Sequence, residues 1–130
     1  LEGQSKNYGV KIIIGENTAR AIEDEFATVR LDCLAVKGKT QGVNLYTVIG
    51  TNEWANENTN YVIDEMQHNK MLKMYEQQNW KGATIFCNDL KGGFGGALDD
   101  YYDLWIERIK EMKAMKLPKD WDGIYRATSK

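Results

Sequence analysis

Histidine is almost missing from this chain of 130 residues. His68 stands alone among polar residues of a helical stretch, a setting that excludes catalytic triads and His-based metal sites. Cysteine is scarce as well: Cys33 and Cys87 lie at no metal-ligand or redox spacing, and both read as small buried hydrophobes in a reducing compartment. No apolar run exceeds a few residues, so the chain is expected neither to span a membrane nor to begin with a signal peptide. It is expected to be cytoplasmic, without direct membrane contact. Seventeen basic against nineteen acidic residues leave a net charge of −2, which gives no general pull on nucleic acid or anionic lipid; any basic site must be local. A single proline, with 42% hydrophobic and 28% charged residues, describes a chain able to build a core.

The most ordered pattern runs from Arg30 to Gly50. Leu31, Cys33 and Ala35 alternate with Asp32, Leu34 and Val36; polar Lys37 to Gln41 interrupt, and Val43, Leu45, Thr47 and Ile49 resume the period of two. This predicts a β-hairpin with a basic tip. Before it, Leu1 to Gly9 reads as the tail of a helix ending at a glycine suited to C′, and Val10 to Ile14 as a short central strand with two apolar faces. Asn17 or Thr18 is placed to cap a brief helix through Ala21 and Ile22.

After Gly50 the composition shifts. Thr51 to Asn60 reads as a linker. Ile63, Met66, Met71, Met74 and Tyr75 suit an amphipathic helix from Tyr61 to Asn79, and Trp80, Ala83, Cys87 and Leu90 a second that pairs with it. The glycine-rich Lys91 to Gly96 follows a helix and lacks the spacing of a phosphate-binding loop, so it predicts a break between helices. A third helix runs from Leu98 to about Met115, with Leu98, Tyr102, Trp105, Ile109 and Met112 on one face and Asp99-Asp100 at its positive end. Pro118 bars its continuation, and Trp121, Ile124 and Tyr125 are anchors that could dock the remaining residues on the helices.

Leu1-Glu2-Gly3, Tyr8-Gly9, Val10-Lys11-Ile12-Ile13-Ile14-Gly15, Glu16-Asn17-Thr18 and Val36-Lys37-Gly38-Lys39 follow one another in the order seen at the end of the class III adenylate/guanylate cyclase catalytic domain, which this segment resembles. Pro118-Lys119-Asp120-Trp121-Asp122-Gly123-Ile124 is similar to the ending of bacterial cyclases that carry a periplasmic sensor of the CHASE2 type. The resemblance implies a parent enzyme that makes a 3′,5′-cyclic nucleotide and pyrophosphate by attack of the ribose 3′-oxygen on the α-phosphate. Two Mg²⁺ or Mn²⁺ ions on two aspartates, an Asn-x3-Arg pair and a turn lysine do the work in that family. Only the lysine falls on this chain. Lys37 matches the phosphate contact and Lys39 could assist; without the resemblance both read as solvated turn residues. The Asn-x3-Arg pair and the aspartates would lie before Leu1, and Asp32 is in the wrong place for a metal ligand. Gly42 stands where the family commonly has proline.

The expected fold is α+β: a small antiparallel or mixed sheet, the end of a ferredoxin-like cyclase domain, then a three-helix C-terminal extension. The expected division is residues 1–50 as cyclase domain, 51–60 as linker and 61–130 as helical extension. The functional expectation is a C-terminal segment of a class III cyclase, inactive alone and binding no cofactor itself, whose parent converts ATP to cyclic AMP as a homodimer. Through its sensor the parent would be anchored in the inner membrane. An open sheet edge in the segment predicts dimerisation or strand exchange. Two alternatives stand beside it: a helical interaction module using the methionine-rich face of Tyr61 to Tyr75 to couple a sensor to the cyclase core, and a degenerate homologue that binds nucleotide without turnover.

Overall fold

The computed structural model describes residues 7–35 and 38–126. Its elements are β1 (Ile14–Gly15), α1 (Glu16–Ile22), β2 (Phe26–Ala35), β3 (Val43–Thr51), α2 (Asn52–Glu57), α3 (Thr59–Glu76), α4 (Trp80–Leu90), a 3-10 turn (Gly93–Gly96), α5 (Asp99–Ala114) and β4 (Tyr125–Arg126). The fold is α+β. Four strands form a mixed sheet in the order β1-β3-β2-β4, with β4 parallel to β2 and the other pairs antiparallel.

The predicted hairpin is the β2/β3 pair, and it carries the sheet. Its register slips between Arg30 and Asp32: Arg30 faces Tyr46 and Asp32 faces Leu45, so Leu31 is an extra residue on β2. Such a bulge breaks the alternation of faces. Leu31 and Asp32 are both buried as a result, and Cys33, expected inside, is only half-buried. Cys87 is fully buried, as its helical spacing suggests.

Three expectations for the first half are corrected. Residues 10–14 do not form a central strand: only Ile14 and Gly15 enter the ladder, at the sheet's edge, with Lys11 and Ile12 exposed. Thr47 donates its hydroxyl to Ile12 O at 2.7 Å, replacing the missing ladder bond. Helix α1 starts two or three residues early, with Gly15 rather than Asn17 or Thr18 at its N-cap and Glu16 in its first turn. The linker is mostly helix α2, capped by Thr51, whose Oγ1 accepts from Trp54 N–H at 3.0 Å; Trp54 then lies over Gly50 and edge-on to Tyr61. The helical tail read into Leu1 to Gly9 falls mostly outside the described residues. Its end is visible: Asn7 and Tyr8 are helical, and Gly9 follows at φ +65°.

Helices α3, α4 and α5 appear where their apolar spacing places them, and α3 and α4 pair. One core joins both halves of the chain. Val29, Leu31, Leu34 and Leu45 of the sheet meet Met71, Leu72 and Tyr75 of α3, Ala83, Cys87 and Leu90 of α4, and Tyr101, Tyr102, Trp105, Ile109 and Met112 of α5. Aromatic rings dominate it: Tyr75 and Trp105 lie 4.4 Å apart between centroids, and Trp80 and Trp121 close the same cluster. Burying rings of this size contributes roughly 2–3 kcal/mol each, which explains how so short a sheet is held.

Helices also close the outer edge of β2. His68 Nε2 meets Arg30 O at 2.6 Å, Tyr101 donates its hydroxyl to Leu31 O at 2.5 Å, and β4 pairs with Leu34 and Ala35. Side chains thus take the carbonyls that the bulge exposes, and a strand takes the rest. From Arg30 to Ala35 the edge expected to be open is occupied.

Candidate functional site

The hairpin turn carries the residues singled out as phosphate contacts. Lys37 lies outside the described residues. Lys39 is exposed, beside Gly38, whose φ of +88° reverses the chain and around which there is open space. A cation here is free to meet a solvent-borne anion. The glycine-rich break is unlike this: Phe94 N–H donates to Asp64 Oδ2 at 3.0 Å and Gly92 N–H to Asp99 Oδ1 at 2.8 Å, so carboxylates of the protein occupy donors that a phosphate would need.

A second constellation, not anticipated from the sequence, lies beneath the sheet. The bulge turns Asp32, 1% exposed, into the core, where Arg108 of α5 reaches it at 2.9 Å. Tyr8 donates to the same oxygen at 2.6 Å, and Cys33 N–H to the other at 2.8 Å. Arg108 also donates to Tyr75 Oη at 3.3 Å and lies 3.6 Å beneath the Tyr125 ring, a cation–π contact away from bulk water. Five segments of the chain converge on one ion pair.

Burial pushes the Asp32 carboxyl above its ordinary value, opposed by the Arg108 charge and by the Tyr8 and Cys33 donors. Burial is the strongest single influence on Arg108 and works against its charge, but Asp32, Tyr75 and Tyr8 together more than restore it, so the guanidinium stays protonated. Desolvation, then the nearby Asp32 charge, lifts Tyr8 above its usual range, and desolvation lifts Tyr75. Each charge is consumed by the other and by hydroxyls, and the pair is enclosed. Its chemistry is that of a clamp, not of an acid or base offered to a substrate.

His68 is the third polar group of the core, fully buried. Since Arg30 O can only accept, Nε2 must carry the proton; Nδ1 then accepts from the Tyr102 hydroxyl at 2.8 Å. Both nitrogens are satisfied in the neutral ring, and burial lowers its pKa to about 4.

Two signals could have exposed these groups. Arg108 sits three residues after Trp105 and four before Met112, inside an apolar stripe, and a charge there requires a buried partner. Asp32 sits among apolar strand residues. Among the described residues no three His, Cys, Asp or Glu side chains are grouped to hold a metal ion, and no helix is long and apolar enough to cross a membrane. Asp32 is committed to Arg108 and is not free to hold a metal ion. No family model, curated protein or solved structure matches the chain.

Proposed function

We propose that this chain is the C-terminal segment of a bacterial class III nucleotide cyclase, whose parent converts ATP to 3′,5′-cyclic AMP and pyrophosphate as a dimer. The observation that carries the reading is the β2/β3 hairpin with its basic turn, following a short strand and a short helix in the order the family uses. In it Lys37 holds the terminal phosphates as a point charge, assisted by Lys39. Mg²⁺ or Mn²⁺ would be held by aspartates that precede Leu1; they would polarise the α-phosphate and activate the attacking oxygen. This segment contributes the turn, and the helices behind the sheet hold that turn's strands. Alone it cyclises no ATP.

The test joins two measurements. The isolated chain, incubated with ATP and Mg²⁺ or Mn²⁺, is expected to form no cyclic AMP. In the parent, recovered from the gene upstream of the Leu1 codon, Asn-x3-Arg and two aspartates should precede Leu1, and Lys37→Ala should raise KM for ATP by about tenfold, the ~1.4 kcal/mol of one charged contact. An upstream sequence without those residues would overturn the reading and leave a scaffold that binds nucleotide without turnover.

One observation favours the interaction module as a second reading. Met71 is buried and Met74 half-buried, but Met66 is 56% exposed beside exposed Val62 and Ile63 on the first turns of α3. The surface is smaller than the expected methionine-rich face. It is still apolar, and it is open to a partner.

A further inference from the structure

Residues 117–126 touch more than the helical layer. Tyr125 and Arg126 pair with Leu34 and Ala35, the last residues of β2 before the turn. The preceding Ile124 is seated where the chain re-enters β3: a Cβ added at Gly42 would lie 2.9 Å from Ile124 Cγ1 and 2.7 Å from Cys33 Sγ. Three consecutive residues therefore grip both arms of the hairpin at the base of its turn. The grip is prepared within the segment. Asp122 Oδ1 accepts from Ile124 N–H at 3.1 Å, Trp121 Nε1–H donates to Ile124 O at 3.1 Å, and Arg126 chelates Asp122. It is anchored behind as well, by Trp121 against Tyr75 and Trp80, and by Tyr125 on Arg108 with its hydroxyl to Glu111.

We propose that this segment is a latch for the basic turn: Ile124, seated on Gly42, is a positioning residue that fixes the turn end of the hairpin, and its release loosens the turn while the helical core stays intact. The proposal deepens the reading of the turn as a phosphate contact and rests on it for its function. It also accounts for Gly42. Any side chain there takes the space of Ile124, so the glycine is the seat of the latch.

Hydrogen exchange of the whole chain tests it with Ile124→Gly, Gly42→Ala and the conservative Ile124→Val. In the first two, amides of residues 38–45 should exchange at least tenfold faster while those of α3, α4 and α5 keep their protection; Ile124→Val should resemble the parent sequence. Release of residues 124–126 without any change at 38–45 would overturn the latch, and so would equal acceleration across the helices, the mark of a merely stabilising contact. Titration of the same samples with ATP separates the two claims. A turn that loosens as described but never responds to ATP, with or without Lys37→Ala, supports the latch and removes the phosphate role.

Discussion

Acidification from pH 7 to pH 5 should cost this fold about 2 kcal/mol through one imidazole. His68 is wholly buried, its Nε2–H bound to Arg30 O and its Nδ1 facing the Tyr102 hydroxyl. A second proton would put a cation where water cannot follow, and burial accordingly lowers the pKa from 6.5 to about 4. The unfolded chain therefore takes up its proton first. The stability contribution is complete above pH 6.5, falls by up to ~1.4 kcal/mol per pH unit below it, and is lost at about pH 4, for a total of roughly 3 kcal/mol. Urea unfolding followed by tryptophan fluorescence at pH 7, 6 and 5 measures it, with His68→Gln as the control that keeps a donor for Arg30 O but cannot titrate. Asp32, raised by burial, contributes with the opposite sign in the acid range, so the difference between the two proteins isolates the histidine. Equal pH dependence in both would refute the argument.

Other substitutions probe separate features. Arg108→Leu strands Asp32 in the core without a countercharge and should cost about 3–5 kcal/mol in urea unfolding, with Asp32→Asn in the same chain recovering part; a loss below about 1 kcal/mol would mean the pair is not enclosed. Tyr101→Phe leaves the Leu31 carbonyl without its donor and should cost about 1–2 kcal/mol; no measurable loss would show that water reaches the bulge. Met66→Glu on the exposed turn of α3 should leave stability within about 0.5 kcal/mol, so that any partner it weakens in a pull-down is weakened at the surface. Retention of that partner by the variant would argue against the interaction module.

The hairpin and three long helices were legible because their side-chain periods are strong and their breaks are chemical: Gly38, the glycines before α5, and Pro118. Helix α3 was legible as a helix but not in its orientation. Its inward stripe holds Asp64, His68, Met71, Leu72 and Tyr75, while Val62, Ile63 and Met66 face out, so polarity in its first turns runs against burial. The aspartate is needed inside to hold Phe94 N–H, and the histidine to cap β2. The bulge at Leu31 was hidden for a related reason. It is fixed by the Tyr101 hydroxyl and Arg108, both about seventy residues further on, and no local pattern announces a partner so distant. Strand β4 is two residues long and exists only because Trp121 and Tyr125 are already docked. At the candidate site, Lys37 and Lys39 were singled out by motif, whereas Gly42 stood out only as a departure from it.

The ion pair also sets an order on the birth of the protein. Asp32 leaves the ribosome seventy-six residues before Arg108, and the ring that roofs Arg108 comes later still. Until then a nascent hairpin that adopted its native bulge would bury a carboxylate that has donors in Tyr8 and Cys33 but no countercharge, so the sheet gains little free energy by settling early. Chains cut short before α5 should remain open and be recognised by quality control. Those that reach Tyr125 can close helices, sheet and tail in a single cooperative step.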